Sequence, residues 1–352
     1  MRDNENSINV MKKEDLSRFF ELMPKVELHI HLEGSIPLPA LYEIIQKYDQ
    51  SIPDVAYLLE KFQYKDFTQF LKMWIWKNSF LREYEDFEYL AEQVAKDLFS
   101  QQIIYAEMNY SPPMFRQFNL EANKLTEAIR NGFNKVRGVE IQLIADLCRS
   151  TEVQDGLKML EQLNGVKHLG VIGVDLGGNE QQVPPEVWQP AYRKAELLGL
   201  YRTAHAGEAV GAESIWGAIR ALQVNRIGHG TRAYEDQALL EYLQETQLPI
   251  ESCPLSNVKT GVVSHVSSHP IRTYFDKGLL ICVNTDDPKM FQNTLVDEYL
   301  ELMEYHGFTL DEIHILVKNA ITASWCDEVK KQELFKRVNQ YFLHSFNTEL
   351  SV

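Results

Sequence analysis

Pro24-Lys25-Val26-Glu27-Leu28-His29-Ile30-His31-Leu32-Glu33-Gly34 alternates with a period of two. Val26, Leu28, Ile30 and Leu32 fall on one face of a strand, while Glu27, His29, His31 and Glu33 fall on the other. One face is apolar and the other wholly ionisable. A half-exposed edge strand with one wet side produces this alternation. The sharper reading is that two imidazoles two residues apart point the same way and bind one cation, with the remaining ligands supplied from elsewhere in the chain.

Downstream, a rhythm of short apolar run, turn and amphipathic helix repeats. The runs cover 103–110, 140–147, 171–176, 201–206, 225–230, 248–253 and 279–285, and with 26–32 they make eight strands. Helical patterns over 86–100, 123–136, 151–163, 186–198, 212–222 and 236–246 fall between most of them. Eight strands alternating with helices over 352 residues predict an α/β fold, a (β/α)8 TIM barrel. Additional N-terminal helices are expected over 12–23 and 38–47, and C-terminal ones beyond Thr309. An open doubly wound sheet is the alternative, but Gly170, Gly173, Gly177 and Gly178 lack the spacing of its phosphate loop. With no linker-like segment, 1–352 reads as a single domain whose residues 1–9 are expected to be disordered.

The helical stretch 66–80 is crowded with Phe67, Phe70, Trp74 and Trp76. Aromatic stripes of this spacing usually pack into a core; beside an active site they would form an apolar lid.

Composition narrows the partners. A formal net charge of -15 disfavours nucleic acid, whose binding depends on neutralising phosphates with Lys and Arg. No apolar run reaches membrane-spanning length, and Met1–Ser7 lacks the apolar core of a signal peptide, so no membrane partner and a cytoplasmic location are expected. A small molecule is the easier ligand, and a homo-oligomer stays open. Cys148, Cys253, Cys282 and Cys326 are widely spaced without a C-x-x-C, and read as reduced core thiols. The H-x-E of His31 to Glu33 is not followed by P-C-x-x-C, which argues against the zinc deaminases of that other fold.

Polar residues gather at the C-terminal ends of the expected strands: His29 and His31, Asp175 to Gly178, His205 to Glu208, His229, Ser256-Asn257 and Asp286-Asp287. In a closed barrel these converge on the rim where barrel enzymes keep their chemistry. Singly, each has an ordinary role. His229 between two glycines suits a structural hydrogen bond, Asp286-Asp287 could cap a helix starting at Pro288, and Glu208 suits the first turn of a helix. Jointly, three histidines and one aspartate make a nitrogen-and-oxygen set for a divalent transition metal, zinc first, with iron or cobalt as alternatives. In a regular strand Asp286 and Asp287 would point oppositely, so the chain must leave strand geometry there for both to serve one site.

The motifs P-K-V-E-L-H-I-H-L-E-G, Y-A-E-M-N-Y-S-P, V-D-L-G-G-N-E, H-A-G-E, R-I-G-H-G, C-P-L-S-N-V-K-T-G and N-T-D-D-P, in this order from Pro24 onward, resemble the adenosine deaminase family of metal-dependent amidohydrolases. The resemblance implies that His29, His31, His205 and Asp286 bind one Zn2+ per chain. It further implies Glu208 as proton donor, His229 to orient or deprotonate the zinc water, Asp287 at the purine N7 and Gly178 at the purine edge. Asp286 would accept a hydrogen bond from that water, and His31 would border the substrate. The implied reaction is hydrolytic deamination of adenosine, and of 2'-deoxyadenosine, to inosine and ammonia. Two departures bear on the substrate, a small purine nucleoside on this reading. Glu33 stands where the family most often has Asp beside the ribose, and Trp74 stands where smaller residues are expected. Adenine, 6-aminodeoxyfutalosine or an N6-substituted adenosine nucleotide are the alternatives, and a catalytically silent metal-binding barrel is a further one.

Overall fold

The computed structural model describes residues 12–349, so the segment 1–9 expected to be disordered lies outside the described residues. Among the described residues, nine short parallel strands fill eight positions of a ring: β1 (Lys25–His31), β2 (Ile103–Tyr110), β3 (Glu140–Asp146), β4 (Val171–Asp175), β5 (Tyr201–Arg202), β6 (His205–Ala206), β7 (Ile227–His229), β8 (Ile250–Ser252) and β9 (Ile281–Val283). β1 to β5 pair in sequence order, as do β6 to β9. β5 and β6 are halves of one position: between them the Thr203 amide still donates to the Val174 carbonyl at 2.9 Å, and the Gly228 amide to the Ala204 carbonyl at 2.9 Å. The ring closes where the His31 amide donates to the Asp286 carbonyl at 2.9 Å and the Asp286 amide to the His29 carbonyl at 3.1 Å. The expected eight-stranded barrel is present.

Closure decides the reading of β1. Every one of its residues is buried, so the half-exposed edge strand is overturned. A closed barrel has no edge, its inner face is enclosed and its outer face is covered by helices. The ionisable face of β1 therefore points into protein and must be satisfied there. Glu27 accepts from the Thr285 amide at 2.8 Å and its hydroxyl at 2.5 Å.

Deeper in the barrel, Arg226 lies between Glu107 and Glu251, all three without solvent exposure. Its Nη1 donates to Glu107 at 2.5 Å, its Nε pairs with Glu251, and Trp325 covers its face at 3.5 Å. An unpaired buried charge costs several kcal/mol, roughly, which is why two carboxylates and a cation occur together here. Glu251 in turn reaches His29 Nδ1 at 2.9 Å, so this ionic column fixes the first histidine from below.

The expected helices appear with shifted ends. α1 (Lys13–Leu22) and α2 (Leu38–Tyr48) flank β1, followed by α3 (Val55–Lys61) and α4 (Phe67–Asn78). α3 had no clear apolar period; its signal is local, with Asp54 accepting from the Tyr57 amide at 2.9 Å as an N-cap. Asp66 caps α4 in the same way, through the Gln69 amide at 2.8 Å. The helix expected over 212–222 is α-helical over Ala212–Gly217 and widens to a π turn over Ala218–Leu222. Leu310–Ala323 packs across β9 and β1, and Glu328–Glu349 packs on it from outside. No helix among the described residues is long and apolar enough to cross a membrane.

Candidate metal centre

His29 and His31 end β1, His205 opens β6, and Asp286 follows β9, so three stretches of backbone deliver one four-residue cluster. One donor atom from each lies within 4.8 Å of the others, and all four residues are buried. The imidazoles are aimed from behind. His29 Nδ1 lies 2.9 Å from Glu251 and His205 Nδ1 2.9 Å from Asp175, which leaves each Nε2 for the shared space. Asp286 Oδ1 lies 3.2 Å from His31 Nε2 and 3.6 Å from His29 Nε2, while its Oδ2 accepts from Ser256 Oγ at 2.6 Å. His29 Nε2 is buried with no hydrogen-bond partner. A buried, unpartnered nitrogen facing two further imidazoles and a carboxylate fits a divalent transition metal, and needs one to be satisfied.

The aspartate pair departs from strand geometry as its double use requires. Asp286 has φ +67°, and His229 and Cys148 also take left-handed backbone, at +63° and +59°. Such conformations cost roughly 1–3 kcal/mol each in residues with a Cβ, and they cluster where function demands them. Asp287 then packs against Gly34: a Cβ there would lie 1.8 Å from its Oδ1. Only glycine lets the carboxyl stand at that place. Gly178 has φ +94°, a conformation that glycine adopts freely.

Beside the cluster, Glu208 Oε2 lies 3.7 Å from His229 Nε2. Burial, reinforced by repulsion from Asp286 and Glu180, pushes the Glu208 carboxyl well above its usual range, which favours its protonated form. Burial does the opposite to His229: with His29 and His205 adding repulsion against the pull of Asp286, it stays neutral. Burial and the neighbouring Asp286 push Asp287 up to about 7. Burial would raise Asp286 too, but the adjacent His29 and His31 imidazoles outweigh it and hold that carboxyl well below its usual range.

These groups line a pocket of about 510 Å³ open to solvent, with Phe67, Phe70, Leu71 and Trp74 of α4 along one wall. His31, Gly178, His205, Glu208, His229, Asp286 and Asp287 all border it, and His29 lies among them at the cluster. Glu33 does not border it. Its Oε1 accepts from the Ser111 amide at 2.9 Å and its carbonyl from Lys77 Nζ at 2.7 Å, while its Oε2 is buried without a hydrogen-bond partner.

Several functional neighbours carried no signal of their own in the sequence. The Glu180 carboxylate accepts from the amides of Gly207, Glu208, Ala209 and Val210 at 2.6 to 3.1 Å, holding the loop that presents Glu208. Glu180 closes the V-D-L-G-G-N-E motif, but nothing about a lone glutamate marks it as a loop clamp. Asp146 and Cys148 border the pocket, so Cys148, although a free thiol as expected, is wall rather than core.

A model of the adenosine deaminase family matches residues 24–341. The chain belongs to that family, within the metal-dependent amidohydrolases. It is 30% identical over 336 residues to an adenosine deaminase of Clostridium kluyveri, covering 93% of this chain and 96% of that one. It is 31% identical over 337 residues to an aminodeoxyfutalosine deaminase of Streptomyces avermitilis, covering 93% of each. Among solved structures, the adenine deaminase of Arthrobacter aurescens superposes with a TM-score of 0.86 at 28% identity, covering 91% of this chain and 99% of that one. The barrel, the cluster and the family make this chain a purine aminohydrolase.

Proposed function

We propose that the chain deaminates adenosine, and 2'-deoxyadenosine, to inosine and ammonia, with Zn2+ held by His29, His31, His205 and Asp286. The observation that carries the reaction is the pairing in one pocket of the ligand cluster with the buried carboxyl of Glu208, 3.7 Å from His229. A zinc ion at the cluster would supply Lewis acidity, lowering the pKa of water from about 15.7 towards about 7. Glu208 delivers its proton to the purine N1, which breaks aromaticity and makes C6 electrophilic. Asp287, raised to about 7, can carry the proton that an N7 acceptor calls for. The Gly178 amide meets the other edge of the purine, and His229 orients the attacking oxygen.

The apolar wall of Phe67, Phe70, Leu71 and Trp74 facing the polar groups of the cluster suits a flat purine ring. A specific observation favours a second reading, adenine or another 6-aminopurine. Glu33, the acidic residue associated with ribose, is tied to the Ser111 amide. Ammonia release from adenosine, 2'-deoxyadenosine, adenine, 6-aminodeoxyfutalosine and N6-methyl-AMP decides between them. Adenosine should give the highest kcat/KM. Preference for adenine would overturn the substrate, and a metal-loaded protein inert towards the whole panel would overturn the reaction in favour of the silent barrel.

A further inference from the structure

His269 lies outside the pocket and belongs to none of the motifs, yet it is buried and both of its ring nitrogens are engaged. Its Nδ1 accepts from the Ile271 amide at 3.2 Å. A backbone N–H can only donate, so that nitrogen carries no proton, and the neutral ring must carry its hydrogen on Nε2. Nε2 lies 3.1 Å from Asn257 Oδ1, to which it donates. The same oxygen accepts from Thr231 Oγ1 at 2.7 Å. Asn257 is thereby fixed in one orientation: turning its amide would set an NH2 against the Nε2–H of His269. Its Nδ2 therefore faces the other way, 3.2 Å from His229 Nδ1. An amide NH2 can only donate, so His229 Nδ1 accepts, and the proton of a neutral His229 resides on Nε2. Burial, with repulsion from His306, pushes His269 down to about 3, so the chain of roles does not invert near neutrality.

We propose that His269 is a positioning residue which, through Asn257, keeps the proton of His229 on Nε2, the nitrogen facing Glu208 and the pocket. His229 then meets the reacting oxygen as a hydrogen-bond donor. To act as a base at Nε2 it would need its proton on Nδ1, opposed to the Asn257 NH2, and reversing that amide would break its bond to His269, since the Thr231 hydroxyl can turn to accept but the His269 Nε2–H cannot. The use made of this donor rests on the deaminase reading above; the proton's location does not.

The test is a long-range nitrogen-proton correlation spectrum of holoenzyme carrying nitrogen-15 histidine, with the His229 signal assigned by its loss in His229→Gln. The wild-type protein should show His229 Nδ1 unprotonated and Nε2 protonated. His269→Phe removes the anchor and lets the Thr231 hydroxyl rotate to accept, so Asn257 can turn. A protonated Nδ1 population should appear and kcat should fall on the order of 10- to 100-fold, as for lost outer partners of a site, with KM unchanged. His269→Gln can offer N–H to Asn257 and C=O to the Ile271 amide, and should restore both the wild-type spectrum and the rate. A protonated His229 Nδ1 in the wild-type protein overturns the proposal, and so does a folded His269→Phe whose His229 spectrum is unchanged, whatever its rate. If His269→Phe does not fold, the wild-type spectrum still decides. Because that spectrum needs no substrate, a failed 6-aminopurine panel and a failed tautomer are separate results.

Discussion

Glu208 and Asp286 are carboxyls of one buried site whose surroundings push their proton affinities in opposite directions. Burial and two neighbouring carboxylates raise Glu208 well above the usual carboxyl range, whereas the adjacent His29 and His31 rings, against burial, hold Asp286 well below it. That divergence matches the acid and ligand roles proposed for them. Glu208→Gln should therefore retain its metal and lose about 10²- to 10⁴-fold in kcat, the usual worth of a positioned acid. Metal content and ammonia release on the same preparation check this, and a near wild-type rate would remove Glu208 from the acid role. The residues legible in the sequence were those whose type is costly without a purpose, such as imidazoles two apart on a strand and adjacent aspartates after one. Glu180 and His269 were not, because a side chain that acts by hydrogen-bonding distant backbone or another side chain leaves no local pattern.

At the scale of elements, α4 packs partly into the core and partly along the pocket. Phe67, Phe70, Leu71 and Trp74 border the pocket. Phe70 also packs on Phe291 with ring centroids 4.9 Å apart, and Trp76 turns instead to Phe80 at 5.4 Å. Buried Lys77 pins the C-terminal end of the helix to the Glu33 carbonyl. The free end is the N-terminal one, towards the exposed Asp66 cap. A tight purine ligand should accordingly protect the α3–α4 connection and the first turn of α4 from protease, with Trp74→Ala raising KM. Cleavage there at the same rate with and without ligand would remove the lid. Element boundaries were legible to within a few residues where apolar periodicity was strong. β5 and β6 read as one run in the sequence because the break at Thr203-Ala204 interrupts the strand without leaving the barrel wall.

Across the whole molecule, a column of opposite charges runs through the barrel from Glu107 to Arg226, Glu251 and His29, ending at the metal ligands. The sequence announced the barrel by counting strands, but it did not announce this column, since its members come from strands far apart in the chain and none is unusual alone. The closure between β1 and the segment after β9 is what turns seven strands' worth of separation between His31 and Asp286 into a distance of 3.2 Å. Everything proposed for the pocket depends on that meeting being occupied by one ion. Metal analysis of the purified protein, with ammonia release from the 6-aminopurine panel measured before and after chelation, tests it most directly. The account predicts one divalent metal per chain, loss of activity on its removal, recovery on adding zinc, and no bound metal in His205→Ala. Full activity in protein that holds no stoichiometric metal would contradict it.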